Sequence, residues 1–300
     1  MTVLKPFKTF DEQADLLIER GMDIGDRALA IGHLRRVNYY RLSGYWYSFR
    51  QFAGPRRADN FFAGTTLADV MALYSFDERL RSATFNALSP VELAVRASLG
   101  HALGAIDPEA HLKPHLLNAR ARTGDMYSVW LDRHTAQVTR SNEPFVVHHR
   151  GTYNNTLPVW VAVEVLDWGG LRYLYDMAPR AVQDSVADTF GLTAPQLSSW
   201  LNSLEIVRNA CAHHGRLFNK VYAKAPKMPP TDTHPGLDAA SASMTKTFGQ
   251  LTMIQYMRDK SGVGRSAILG AVLSSYPQVA PVPASHLGMP ADWKATTLWA

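Results

Sequence analysis

An all-α fold is predicted, because apolar residues recur at three- and four-residue spacing along most of the chain and capping residues stand where these stretches begin. With 300 residues, 46% of them hydrophobic and 19% charged, the chain is long enough to bury a sizeable core in one large or two small domains.

Thr9-Phe10-Asp11-Glu12 is a capping box that opens a first helix, and Gly21 ends it. Asp26 caps the next, where Leu34, Val37, Leu42 and Tyr45 keep helical spacing through NYYRLSGYWYSFR. Aromatics alternate there with Arg35, Arg36, Arg41 and Arg50. They fit either a surface that stacks bases and contacts phosphates or an aromatic core seam edged by arginine stems. Residues 52–64, with Gly54-Pro55, are predicted as a loop. Thr66 caps a long helical region that Pro90 is expected to kink or divide. In it Glu92 and Arg96 form an i,i+4 pair, either solvated surface or part of a site.

Residues 107–156 are polar, with scattered helical turns and the pair His148-His149. LPVWVAVEVLDWGGLRYLY then predicts a buried helix, with Pro158 at its first turn and Gly169-Gly170 at its end. Glu164 has apolar neighbours on both sides there, so burial would require a cationic partner, with Arg208 and Arg96 as the candidates. Thr193 caps a strongly amphipathic helix ahead of Ala194-Pro195, and Gly215 follows its last periodic residue. A Pro-rich connector begins at Ala225, helices resume at 241–259 and 266–275, and a tail carrying Trp293 and Trp299 is expected to dock along the surface. Three regions follow: an N-terminal helical region over 1–60, a helical core over 61–224, and the connector, C-terminal helices and tail over 225–300. A single domain would also accommodate all three.

The helix ending in RNACAHHG carries the chemistry. Leu197, Trp200, Leu201, Leu204, Val207 and Cys211 form its apolar stripe. Measured from Leu204, His213 falls at roughly 180°, Asn209 at roughly 140° and Arg208 at roughly 40°. His213 and Asn209 thus point away from the core, with Ile206 and Ala210 beside them, and Arg208 lies at the core margin. Cys211, the only cysteine, sits on the apolar stripe as a small core residue, and disulfides or cysteine-rich zinc sites are excluded.

A net charge of +5 fits an anionic partner without demanding one. No run reaches the ~18 apolar residues of a membrane span, and the N-terminus lacks an export signal's apolar segment, so a cytoplasmic protein without membrane contact is expected. The chain has no GxGxxG, GxxxxGK[ST], HExxH or GxSxG motif. No metal or cofactor is therefore expected. What remains is proton transfer by histidine around an anion held by arginine. RNA cleavage needs little more, because the 2′-hydroxyl is a built-in nucleophile. His213 would be general acid or base and Arg208 would bind the scissile phosphate. Asn209 would orient the imidazole or bond a phosphate oxygen, and His214 is a second candidate imidazole. One helix supplies a single copy of each group, so the paired acid and base point to a homodimer joined through the Ile206 and Ala210 face.

Arg208-Asn209-x-x-x-His213 resembles the RxxxxH signature of the HEPN superfamily of α-helical ribonucleases. Together with KPFKTFDEQADLLIERGM, NYYRLSGYWYSFR, LPVWVAVEVLDWGGL, IVRNACAHHGRLFN and GMPADWKATTLW, it resembles the Abi family of abortive-infection proteins, the AbiD/AbiF-like group, over nearly the whole chain. The resemblance implies a HEPN-like helical bundle core with helical extensions, and a toxin or phage-defence endoribonuclease that cuts RNA as a dimer without metal. It places Arg208 and His213 at the catalytic pair, and Asn209 at the polar position after the arginine. Glu92, Arg96 and Glu164 fall at polar positions of the other core helices. An RNA or protein antitoxin is a further implied partner. Two alternatives stand beside it: a non-catalytic RNA-binding or RNA-sensing protein, and a structural role in which Arg208 pairs with Glu164 and His213 caps its helix.

Overall fold

The computed structural model describes residues 4–153 and 156–300. Met1 to Val3, the start of the segment judged to lack an export signal, lie outside the described residues, as do Asn154 and Asn155. Among the described residues there are thirteen α-helices and one two-stranded sheet, the all-α architecture that the periodicity predicts. Among the described residues no helix is long and apolar enough to cross a membrane.

α1 (Phe10–Glu19) opens on its capping box, the Thr9 amide donating to Glu12 Oε2 at 2.6 Å and the Glu12 amide to Thr9 Oγ1 at 3.2 Å. Asp26 caps α2 (Arg27–Val37). The helical spacing then misleads: the chain breaks at Asn38, whose φ of 76° lies in a region asparagine tolerates better than most residues. The Asn38 side chain caps the new helix α3 (Tyr39–Trp46) by accepting from the Tyr40 amide. Tyr45 and Trp46 enter the core while Tyr40 and Tyr47 stay exposed, so the aromatic seam is divided between interior and surface.

The predicted loop over 52–64 is in fact a hairpin of β1 (Arg50–Ala53) and β2 (Arg56–Phe61). Gly54, at φ 60°, occupies the first position of its two-residue connection, the place where a primed turn requires glycine. That two-residue glycine turn was the overlooked signal.

α4 (Leu67–Gly104) spans 38 residues, about 57 Å at 1.5 Å per residue. Pro90 does not divide it. Proline removes one backbone hydrogen bond, and full burial of Leu88 and Val91 on either side offsets the loss. After α5 (Met126–Arg140) and α6 (Pro144–Thr152) comes the largest departure from expectation. The single buried helix expected from Pro158 is a short α7 (Val159–Ala162), a 3-10 turn (Val163–Val165) and a new helix, α8 (Trp168–Met177). Asp167 caps α8 by accepting from the Gly170 amide at 2.7 Å, so Gly169-Gly170 begin a helix instead of ending one. α9 (Arg180–Asp188) and α10 (Ala194–Ala212) follow, then α11 (Pro235–Asp238), α12 (Thr247–Lys260) and α13 (Ala267–Ser274).

α4 is the axis: α3, α7, α9, α10, α12 and α13 all pack against it. Gly100 and Gly104 admit α7, since an added Cβ at Gly100 would lie 3.1 Å from the Trp160 Cα. The tail closes on α12, with Trp299 stacked on Phe248 and its indole N–H donating to Thr252 Oγ1 at 3.1 Å.

The end of α10 is fixed by a buried carboxylate on α4. Asp77, fully buried, accepts from Tyr45 Oη on α3 at 2.6 Å and from Arg81 Nη1 at 2.6 Å. Its other oxygen accepts from the Phe218 and Leu217 amides at 2.7 and 3.2 Å. Asp77→Ala would leave Arg81 charged, buried and unpaired. It is expected to cost about 3 to 5 kcal/mol. Urea unfolding of the variant would measure this, and a loss within experimental error would contradict the role.

Candidate functional site

α10 is held at both ends. At its start the Gln196 side chain accepts from the Thr193 amide at 2.8 Å. At its end the helix stops at Ala212, and His213 is the C-cap. His214 follows in the left-handed region at φ 54°, its amide donating to the Cys211 carbonyl at 3.4 Å, while the Gly215 amide donates to the Ala210 carbonyl at 2.6 Å. This is a Schellman closure. His214, and not the Gly215 that follows the last periodic residue, takes the left-handed position, at a steric cost that glycine avoids. The segment beyond is pinned to α3, where Arg41 donates to the His214 carbonyl at 2.6 Å and Arg216 donates to the Gly44 carbonyl.

The wheel placed Asn209 and His213 correctly, for both are exposed, as is Ile206 at 45%. Ala210 was expected beside them on the surface and is instead 8% exposed, because the returning Gly215 backbone packs on it. Cys211 is a core residue whose thiol burial pushes up to about 12. It is no nucleophile at neutral pH.

Arg208 is half-buried with its guanidinium 5.8 Å from the Phe85 ring centroid, and its Nε is sealed from solvent without a hydrogen-bond partner. The expected pairing with Glu164 does not occur. Glu164 is exposed, because its segment is a surface 3-10 turn and not a buried helix. Arg96 is also committed elsewhere: it pairs with Glu92 at 2.5 Å and donates to the Val163 and Leu166 carbonyls. Glu92 and Arg96 thus secure the corner between α7 and α8, with no hydrogen bond or ion pair to Arg208, Asn209 or His213. Arg20, Arg50, Arg81 and Arg172 all make carboxylate pairs, which Arg208 lacks among the described residues.

A cleft runs between α4 and the end of α10. Arg81, Ser82, Phe85 and Asn86 form one wall and Ala212 and His214 the other. Arg81 reaches it from the Asp77 network, a contribution the sequence signals only as an aspartate and an arginine four residues apart within an apolar helical stretch. The cleft thus combines the paired Arg81 guanidinium, the Glu78 carboxylate and the Ser82 and Ser89 hydroxyls around Phe85, the ring that the Arg208 guanidinium also approaches. An arginine without a carboxylate and an exposed imidazole at one helix end can bind an anion and move a proton.

Two further histidines were missed. His111 and His134 are 1% and 5% exposed and meet edge to face at 5.4 Å, with Trp130 stacked on His134. Burial pulls His111 down to about 3 and His134 down to about 4. His148 and His149 lie together on α6, where His149 Nδ1 is 2.7 Å from the Phe145 carbonyl oxygen, and they do not join the α10 site. Among the described residues no three His, Cys, Asp or Glu side chains gather to hold a metal ion.

A family model described as Abi-like protein matches residues 32–219, well over half the chain, from within α2 to the segment that closes α10. No curated protein and no solved structure matches the chain.

His214→Gly removes a side chain from the left-handed position, and we expect unfolding stability to be unchanged or up to about 1 kcal/mol higher. A marked loss would show that the imidazole itself supports the turn. For His111 and His134, both neutral when folded, the unfolded chain takes up protons below the ordinary value of 6.5 that the native chain refuses. Stability is then full above pH 6.5 and falls as pH drops toward 3. At pH 5 the two groups together should remove on the order of 4 kcal/mol. Urea midpoints at pH 7.5 and 5, compared with those of His134→Phe, test this. An equal acid-induced loss in the variant would contradict it.

Proposed function

The chain belongs to the Abi-like protein family, and from that premise we propose that it is a HEPN-type endoribonuclease, acting as a toxin or abortive-infection effector in phage defence. The observation that carries this reading is Arg208, a half-buried arginine without a carboxylate partner among the described residues, five residues before an exposed histidine at the end of α10. A guanidinium without a carboxylate suits a phosphate, to which it can present two parallel N–H donors.

In the proposed reaction the His213 imidazole accepts the proton of a ribose 2′-hydroxyl, whose oxygen attacks the adjacent phosphorus. The bond to the 5′-oxygen breaks, and that oxygen leaves with a proton from a second imidazole. The products are a 2′,3′-cyclic phosphate and a 5′-hydroxyl. Arg208 neutralises charge gathering on the phosphate oxygens, and Asn209 orients the imidazole or a phosphate oxygen. The second imidazole comes from another copy of α10 in a homodimer. Three exposed apolar residues on α10 and α4 support that assembly, namely Ile206, Phe85 and Leu93, the last two at 44% and 55% exposure. RNA is the substrate, and an RNA or protein antitoxin is a further partner of this reading.

Purified His213→Ala and Arg208→Ala are expected to cleave RNA at least about 100-fold more slowly than the parent chain while keeping its melting temperature. Sequencing of RNA ends after expression reads this directly. Cleavage by His213→Ala at the parent rate would overturn the assignment, and RNA binding without any cleavage by the parent would make the protein a binder. Ile206→Asp is expected to give monomers in sedimentation and to lose cleavage in parallel. A monomeric variant that still cuts would remove the dimer from the proposal.

A further inference from the structure

A groove of about 690 Å³ opens where the segment before α1 lies against α3 and the hairpin. Tyr40 and Ser43 line it from α3, while Arg41 and Gly44 of the same helix hold the segment that closes α10. One helix, roughly 10–12 Å across with its side chains, therefore stands between the groove and the α10 terminus.

The charge of the groove is one-sided. Lys5, Lys8, Arg20 and Arg50 line it against a single carboxylate, Asp59. That carboxylate is shared, meeting Arg20 Nη2 at 3.0 Å and Arg50 Nη1 at 3.2 Å, so the two arginines alone leave an excess positive charge. The exposed lysines add to it, since neither has an ion pair among the described residues. Glu12, four residues from Lys8, is committed to the Thr9 cap. Aromatic rings stand among these cations, with Phe7 89% and Tyr40 67% exposed. Tyr40 meets the Tyr39 ring edge to face at 5.7 Å, and the Tyr39 hydroxyl accepts from Arg20 Nη1 at 3.2 Å.

We propose that this groove holds the flank of a single-stranded RNA that passes over α3 from the α10 terminus, with its phosphates on Lys5 and Lys8 and a base stacked on Tyr40. A cationic groove set with exposed aromatics is the general means of binding unpaired strands, because the cations follow the backbone and the rings take base faces. A duplex keeps its base faces stacked on one another, and an anionic membrane answers the charge but offers the rings no flat partner. The choice of RNA as the anion rests on the proposed function. The groove itself takes no part in the chemistry.

The test is fluorescence anisotropy of the full-length His213→Ala chain with a short labelled single-stranded RNA, the same RNA as a duplex, and vesicles of phosphatidylserine. The single strand should bind tightest, with an affinity that falls as salt rises. Combining Lys5→Ala with Lys8→Ala should lower the slope of log affinity against log salt by about 0.7 for each lysine. Tyr40→Leu should weaken binding about fivefold or more and leave that slope unchanged. All three positions are exposed, so the melting temperature should hold. A duplex or vesicle bound as tightly as the single strand overturns the proposal, as does RNA binding that either variant leaves intact. Cleavage by the parent chain is measured separately. Cleavage without these binding effects keeps the nuclease and removes the groove; the binding effects without cleavage keep the groove and remove the nuclease.

Discussion

A single carboxylate governs the geometry of this molecule. Asp77 receives hydrogen bonds from α3, from its own helix and from the backbone just past α10, and it has no contact with water. Taking such a group out of solvent is unfavourable unless every acceptor position is filled. The arrangement is therefore close to all-or-none: Tyr45, Arg81, Leu217 and Phe218 must all be in place. The direction in which α10 ends, and hence where His213 points, follows from that requirement more than from the propensity of α10 itself.

The arginines divide by the same logic. Arg81, Arg96 and Arg172 each have acceptors that match their burial, so they serve the fold. Arg208 stands over Phe85 with a sealed Nε and no acceptor. Arg208 therefore stands apart from these three: among the described residues it has no acceptor, on the helix that ends at His213.

Much of this was legible in the sequence, and the losses have physical causes. The caps at Thr9, Asp26 and Thr66 were readable because side-chain capping is local, and the stripe of α10 placed Asn209 and His213 on the outside because burial follows helical period. The breaks at Asn38 and before Trp168 escaped because apolar spacing continued across them; only the capping capacity of Asn38 and Asp167 distinguished them. Glu164 was misplaced with its helix. Asp77 gave no signal beyond its position in an apolar stripe, since its partners at 217 and 218 are brought to it by tertiary structure alone.

The pinning of the α10 terminus also has a temporal side. Arg41 and His214 are 173 residues apart in sequence, Asp77 and Phe218 are 141 apart, and both contacts close onto the same short segment. Contacts of such long range cost loop entropy and form late in folding. During synthesis α3 and α4 emerge well before the segment that locks His213 into place. A growing chain therefore lacks the ordered motif until α10 and its closing turn are complete.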